Sequence, residues 1–490
     1  MPALEDSTAV GASMEAEAFT AVGAVEDMAE AAPIDRCALP WERLLAAMFF
    51  LRTLERKNGI LISLDYSNPS PRGKTMPMPQ FLKVKTAEEV LSILADIRPL
   101  PVEMVPVEKA CGRVLAAEIF APEPVPHFAR ATMDGYAVRA KDTFGASEGL
   151  PGLLEKGGEV LMGKPTDLTV EQGKAVAIPT GGMMPEGADA VVMVEYTASL
   201  DESTLELNKP VAPGDNLLRV GEDIAEGGAV FGAGRLLRPQ DIGMLAALGI
   251  KDVPAYRRPR VAVISTGDEI LPVETRTLPP GKIRDINSFS LAAQIESAGA
   301  EVGMRKTVSD VLEDLVSVCI AAFADHDVVV LSGGSSVGAR DYTVEVLGRL
   351  PDSELLVHGV AIKPGKPTIL GRSGEKIFWG LPGQPVSALI TCRAFVIPCL
   401  QRLQGLAETG AAGTGTRIRA VLNRRLPSVH GRADYMPVML SDAGDGRVGA
   451  TPVFGKSGAI SILTRAAGYV IVPAHVEGFD QGTEVEVIPF

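Results

Sequence analysis

Cysteine and histidine are scarce in this 490-residue chain, at five each. Cys37, Cys111, Cys319, Cys392 and Cys399 make no CxxC pair and no Cys/His cluster, which excludes a structural zinc site and fits a reducing compartment. They read as small buried hydrophobes. Positive charge is also short: the formal net charge of -14 argues against a polyanion as the main ligand, because nucleic-acid binding needs a basic face. A small anion held locally stays compatible with that balance. No apolar run approaches the roughly 20 residues that span a bilayer. The first residues also lack the basic start, apolar run and cleavage site of a signal peptide. The expectation is a cytoplasmic protein with neither a membrane nor a nucleic-acid partner.

Hydrophobic residues at 46% and charged residues at 22% describe a globular chain. Its length implies roughly three or four domains. Residues 1–77 differ from the rest, with an Ala/Glu/Asp-rich start and a turn-rich end at Ser67-Asn68-Pro69-Ser70-Pro71. Such a stretch buries too little apolar surface to offset its ordering entropy, so it is expected to be disordered, with residues 44–54 as its single helix candidate. Met76 and Met78 stand just before the first well-formed element and mark an alternative start.

Thr86 and Glu89 fit a capping box ahead of the stripe Val90, Leu91, Leu94 and Ile97. A short helical patch is expected near residues 107–115. The spaced prolines Pro122, Pro124 and Pro126 then mark a boundary. Residues 127–213 alternate short apolar runs with Gly/Pro turns, as a small, mostly β module does. Residues 239–248 read as a helix returning to the first domain, so 78–126 and 214–258 form one unit and 127–213 an inserted lid. From 259 to 406 strands alternate with helices, which predicts βαβ units and a mainly parallel sheet. Residues 407–490 carry short alternating runs without a long helical pattern and read as a small β barrel.

The sharpest local signal is residues 327–341, DVVVLSGGSSVGARD. Four aliphatic residues running into a Gly/Ser loop predict a strand buried on both faces, with a loop at its carboxyl end, where open α/β sheets bind ligands. Gly333 and Gly338 have the spacing of a phosphate-binding P-loop, but Ala339 and Arg340 stand where Lys and Ser or Thr belong. Gly334, Ser336 and Gly338 match the nucleophile-elbow pattern, yet none of His358, His430 and His475 has the surroundings of a triad partner. A nest of backbone amides cradling an anion is the third reading, and a tight turn without ligand the plain one. Lys363 and Lys366 bracket a turn stiffened by Pro364 and Pro367, which suits a small oxyanion, although exposed lysines on a turn are the commoner case for any isolated example. Asp134, Asp223, Glu269, Asp310 and Asp341 are carboxylates beside glycines or at helix starts, each by itself more often a cap than a catalyst. Together with a phosphate loop they suit Mg²⁺.

Taken in order, ATMDGYAV at 131–138, PTGGMMPEGADAVVMVE at 179–195, GEDI at 221–224, STGDEI at 265–270, GKIRDINSFSL at 281–291, the 327–343 stretch, IKPGKP at 362–367 and GLPGQPVS at 380–387 resemble the molybdopterin molybdenumtransferase family, MoeA and the E domain of gephyrin. The resemblance runs through residues 78–490. It implies a multidomain α/β and β fold: an elongated linker and dimerisation domain, an inserted lid, a MogA-like α/β domain that binds molybdopterin, and a C-terminal barrel. It implies insertion of molybdate into adenylylated molybdopterin with Mg²⁺-dependent loss of AMP. The resemblance also implies a homodimer with its site between subunits, and contact with a molybdopterin adenylyltransferase or molybdoenzyme-maturation partners. By motif position the catalytic set is Asp134, Thr180, Asp223, Glu269, Asp310, Asp341 and Lys363, with Glu269 and Asp341 as Mg²⁺ contacts. Ser265, Gly333, Gly334, Ser335, Ser336, Gly338, Lys366, Pro382, Gly383, Gln384 and Ser387 are the implied substrate contacts. Two positions depart from the family pattern: Gly359 stands where a basic residue is common, and Gln384 replaces the usual Asn. The alternatives are a molybdopterin adenylyltransferase, a gephyrin-like scaffold, and a hydrolase using Ser336.

Overall fold

The structure is a computed structural model that describes residues 84–333, 339–406, 417–444 and 446–490, without the side chains of 339–341. The expectations for residues 1–77 and for the Gly334–Gly338 positions fall outside the described residues.

Six strands form the central sheet: β1 (Arg260–Thr266), β2 (Glu301–Val308), β3 (Val328–Gly333), β4 (Ser353–His358), β5 (Ile369–Ser373) and β6 (Lys376–Pro382), in the order β2-β1-β3-β6-β5-β4. The β2-β1, β1-β3 and β3-β6 pairs are parallel, and the last two pairs are antiparallel. The aliphatic run of β3 has the burial the sequence calls for. Val328 and Val330 face one core with Val261, Val263 and Trp379, while Val329 and Leu331 face a second with Ala262, Ile264 and Phe378. Helix α1 (Asn287–Ser297) contributes Leu291 and Ile295 to the first core, whereas α2 (Leu312–Asp325) and α3 (Ala339–Gly348) contribute Leu315, Cys319 and Val346 to the second. Both faces are therefore covered, and the edge at the strands' carboxyl ends is left for chemistry.

The helix after β6 is longer than the sequence pattern implies. Helix α4 (Pro385–Thr391) passes through a π-helical segment (Cys392–Val396) into α5 (Ile397–Leu403). This 19-residue run, Pro385–Leu403, has a mean hydropathy of 1.4 and so has the length and composition of a membrane span, contrary to the expectation that nothing in the chain comes near one. It is 78% buried inside the protein, which makes it a core helix. Its Cys392 and Cys399, like Cys319 on α2, are buried as expected, and burial pushes the Cys319 and Cys399 thiols up to about 12. Cys111 departs from that expectation and is exposed.

Ahead of the central sheet, Thr86 and Glu89 close the capping box on the helix Ala87–Ala95. The Thr86 amide donates to Glu89 at 2.6 Å and the Glu89 amide to Thr86 Oγ1 at 3.2 Å. The expected helical patch after residue 107 is a single 3-10 turn, Val107–Lys109. Beyond it Val114 and Leu115 turn to β-bridges with Leu236 and Ala255, because burying those side chains against the returning chain outweighs local helix propensity. That returning chain also pairs Asp252–Tyr256 with Val102–Pro106 and carries the helix Pro239–Ala247. Between the two halves lies a six-stranded, mostly antiparallel sheet that includes Gly135–Val138, Lys174–Ile178 and Ala190–Met193.

At the C-terminus, Ile418–Leu422, Ala433–Asp442, Val448–Pro452, Gly468–Val472 and Glu484–Pro489 close into a five-stranded barrel. The two-residue strand Ile362–Lys363 adds to it in parallel, opposite Ala433 and Asp434. That pairing carries the predicted lysine turn onto the barrel.

Candidate functional site

Strand register places Ser265 at the end of β1 opposite Thr307 on β2 and Ser332 on β3. These hydroxyls converge on two residues at the start of α1 for which motif spacing assigned no role. Buried Asp285 accepts hydrogen bonds from Ser265 Oγ at 3.1 Å, Thr307 Oγ1 at 2.9 Å and the Ser288 amide at 3.0 Å. Asn287 donates through Nδ2 to Ser332 Oγ at 2.9 Å and to the Gly383 carbonyl at 2.8 Å. Ser332 in turn donates to the Pro382 carbonyl at 3.3 Å. The ends of β1, β2, β3 and β6 are thus tied through one helix start. Ser265 and Pro382 are buried inside this network, and Ser387 is buried in the first turn of α4.

Glu269, Asp310 and their neighbours occupy the loops that leave β1 and β2. Thr266 Oγ1 donates to Asp310 Oδ1 at 2.5 Å, the Asp310 amide donates to Asp268 Oδ1 at 3.2 Å, and Lys282 Nζ donates to the Asp268 carbonyl at 2.7 Å. Gly267 leaves room for the Glu269 carboxylate, because a Cβ there would lie 2.8 Å from Glu269 Oε2. Gly333 serves close packing: a Cβ would stand 2.7 Å from Thr266 Cγ2. Asp341 lies in the first turn of α3, on the far side of the loop that follows Gly333. Among the described residues, no cluster of three or more His, Cys, Asp or Glu side chains is placed to hold a metal ion.

The lysine turn is fixed from several sides. Gly365 has φ +116°, and a Cβ there would stand 2.5 Å from Thr391 Oγ1 on α4, so only glycine fits. Thr368 Oγ1 donates to the Gly365 carbonyl at 2.6 Å, and the Lys363–Pro364 peptide is cis. Lys363 Nζ makes an ion pair with Asp434 Oδ2 at 2.8 Å, while Lys366 is exposed. Gln384 accepts a hydrogen bond through Oε1 from Ser457 of the barrel segment. Gly359 has φ +94°, a conformation that a basic side chain would adopt only with strain, which accounts for the glycine at that position.

On the inserted module, residues 46 positions apart meet: the Thr180 amide donates to Asp134 Oδ1 at 2.7 Å. That backbone bond, with help from the Thr180 side chain, holds the Asp134 carboxyl below the usual carboxylate range. Asp223 sits exposed on another turn, its amide bonded to the Val125 carbonyl at 3.1 Å. No hydrogen bond or ion pair among the described residues joins Asp134, Thr180 or Asp223 to Glu269 or Asp310.

Family models match nearly all of this described chain. Residues 83–249 match the MoeA N-terminal region (domain I and II), 262–402 a probable molybdopterin binding domain, and 419–490 the MoeA C-terminal region (domain IV). A molybdopterin molybdenumtransferase of Haemophilus influenzae is 32% identical over 408 residues, covering 83% of this chain and 98% of its own. A putative molybdopterin biosynthesis protein of Methanocaldococcus jannaschii is 34% identical over 393 residues, covering 79% and 92%. The crystal structure of a molybdopterin biosynthesis MoeA protein from Pyrococcus horikoshii superposes with a TM-score of 0.70 at 32% identity, covering 83% of this chain and all of that one, 100%.

Proposed function

The chain belongs to the MoeA family of molybdopterin molybdenumtransferases, enzymes of molybdenum cofactor biosynthesis, and on that premise we propose that it inserts molybdate into adenylylated molybdopterin with release of AMP. The observation that carries the proposal is the convergence at one sheet edge. The Glu269–Asp310 loops leave β1 and β2, the Pro382–Gly383–Gln384 turn leaves β6, and the Lys363–Lys366 turn packs on the helix that follows β6. Molybdate and a pyrophosphate repel one another, so lysine ammonium groups and loop amides are suited to hold both and to stabilise charge as water cleaves the pyrophosphate P–O bond to leave AMP and the molybdopterin phosphate. Dithiolene attack on molybdenum needs chiefly orientation, and no activated Ser or Cys nucleophile enters the scheme.

Mg²⁺ fits the donor chemistry here. Glu269, in the loop after β1, and Asp341, in the first turn of α3, are both carboxylates, the donor type that suits a cation that keeps several waters and takes its other ligands from phosphates. When bound, it neutralises phosphate charge during cleavage. Family membership is the ground on which we infer a homodimer in which one subunit's lid completes the other's site. Mixing Asp134→Ala with Asp341→Ala subunits should then recover activity that neither variant has alone, and mixtures as inactive as their parents would contradict the shared site. The cytoplasm is the compartment in which we place this reaction, beside a molybdopterin adenylyltransferase and molybdoenzyme-maturation partners.

The reaction itself is tested by giving purified protein adenylylated molybdopterin, molybdate and Mg²⁺. AMP should appear only when all three are present. Pyrophosphate release from ATP and free molybdopterin would mark an adenylyltransferase instead.

A further inference from the structure

We propose that Asp434, a buried carboxylate of the C-terminal barrel, is a positioning residue that holds the Lys363 ammonium toward the oxyanion at the lysine turn, an assignment that rests on the molybdenum-transfer reading. Asp434 is only 2% exposed, and a carboxylate so far from water needs a positive partner or several donors. Its Oδ2 receives both: Lys363 Nζ at 2.8 Å and Ser428 Oγ at 3.2 Å. The Lys363 side chain is 43% exposed, so the pair has one end in the barrel and the other open to solvent. Parallel pairing of Lys363 with Asp434 in the strand register fixes the two backbones as well, so that the ion pair is what sets where the ammonium points.

The geometry divides the labour between the two lysines. An ammonium has three N–H bonds. One is spent on Asp434, and the other two project from a fixed root. Because the Lys363–Asp434 pair carries no net charge, it supplies direction more than attraction. The exposed Lys366, three residues on, has no ion-pair partner among the described residues and supplies the net positive charge. Loss of Asp434 should accordingly impair turnover more than oxyanion binding, since removing a nearby negative charge favours an anion while freeing the lysine costs orientation.

Asp434→Asn keeps the shape of the side chain and removes its charge. Acetic anhydride labelling followed by peptide mass spectrometry should show Lys363 reacting about five- to tenfold more slowly than Lys366 in the native protein, and nearly as fast in the variant. The kcat for molybdate-dependent AMP release should fall about tenfold or more while KM for molybdate stays within about twofold. Ser428→Ala, which removes only the supporting hydroxyl, should move both readouts in the same direction by less. An unchanged labelling ratio in Asp434→Asn would overturn the assignment. So would an equal loss of kcat in a Lys363→Met background, because the carboxylate would then act through the barrel and not through the lysine. Labelling does not require turnover: the expected ratios without any AMP release by the native protein would reject the proposed reaction and leave the positioning role standing.

Discussion

Asp341→Ala should abolish AMP release from adenylylated molybdopterin, lowering kcat by at least about a hundredfold, as expected when a group that stabilises transferring phosphate charge is removed. Asp341 sits in the first turn of α3, directly beyond the loop at the end of the central strand β3. The packing of α3 depends on Val346 and Leu347, which are buried, so the fold should survive the change. Thermal denaturation of the variant should therefore match the native protein within a few degrees while AMP release, followed by chromatography, is lost. Near-normal release would remove Asp341 from its assigned role.

Gly135→Ala should have the opposite signature, with stability and activity lost together. A Cβ at position 135 would lie 1.9 Å from the Val192 carbonyl oxygen and 3.0 Å from Met193 Cα, both backbone atoms of the adjacent strand. Neither can rotate away, so the two strands must separate and the ladder between them breaks. Overpacking typically costs about 1–3 kcal/mol, and a clash with backbone belongs at the upper end of that range. Gly135 follows Asp134 directly, so the shift would also pull the carboxylate from the Thr180 amide that holds it. Denaturant unfolding of the inserted module should move to clearly lower concentration, and AMP release should fall with it. A variant of native stability would show that the strands accommodate a methyl group and that the contact is not structural.

Local patterns in the chain announced much of this architecture. The run VVVL reads as a strand buried on two faces because its neighbours in the sheet are themselves strands with helices above and below, and its alternate residues do face two separate cores. The Thr86–Glu89 capping box is likewise a short-range device, complete within four residues. Motif order also named the carboxylates and lysines that we propose for the site. Asp285 and Asn287 escaped notice because, apart from the Ser288 amide, their partners, Ser265, Thr307, Ser332 and Gly383, lie 20 or more residues away and meet them only once the sheet is assembled. A signal was present: Asp-x-Asn just ahead of a helix, in a chain whose buried strands end in Ser or Thr, calls for acceptors at the sheet edge. Asp434 was hidden for the same reason, since its lysine partner is 71 positions earlier. The extra length of the helix after β6 was obscured by Pro398, which is tolerated in the first turn of α5 beyond the π-helical segment.

The proposed transfer is tested most directly by a paired assay of purified protein with adenylylated molybdopterin, molybdate and Mg²⁺, in which AMP released and molybdenum bound to the pterin are measured in the same sample. The account predicts equal amounts of the two, with neither product formed when molybdate is omitted. Full AMP release without molybdate, or molybdenum insertion that leaves the adenylyl group in place, would contradict it.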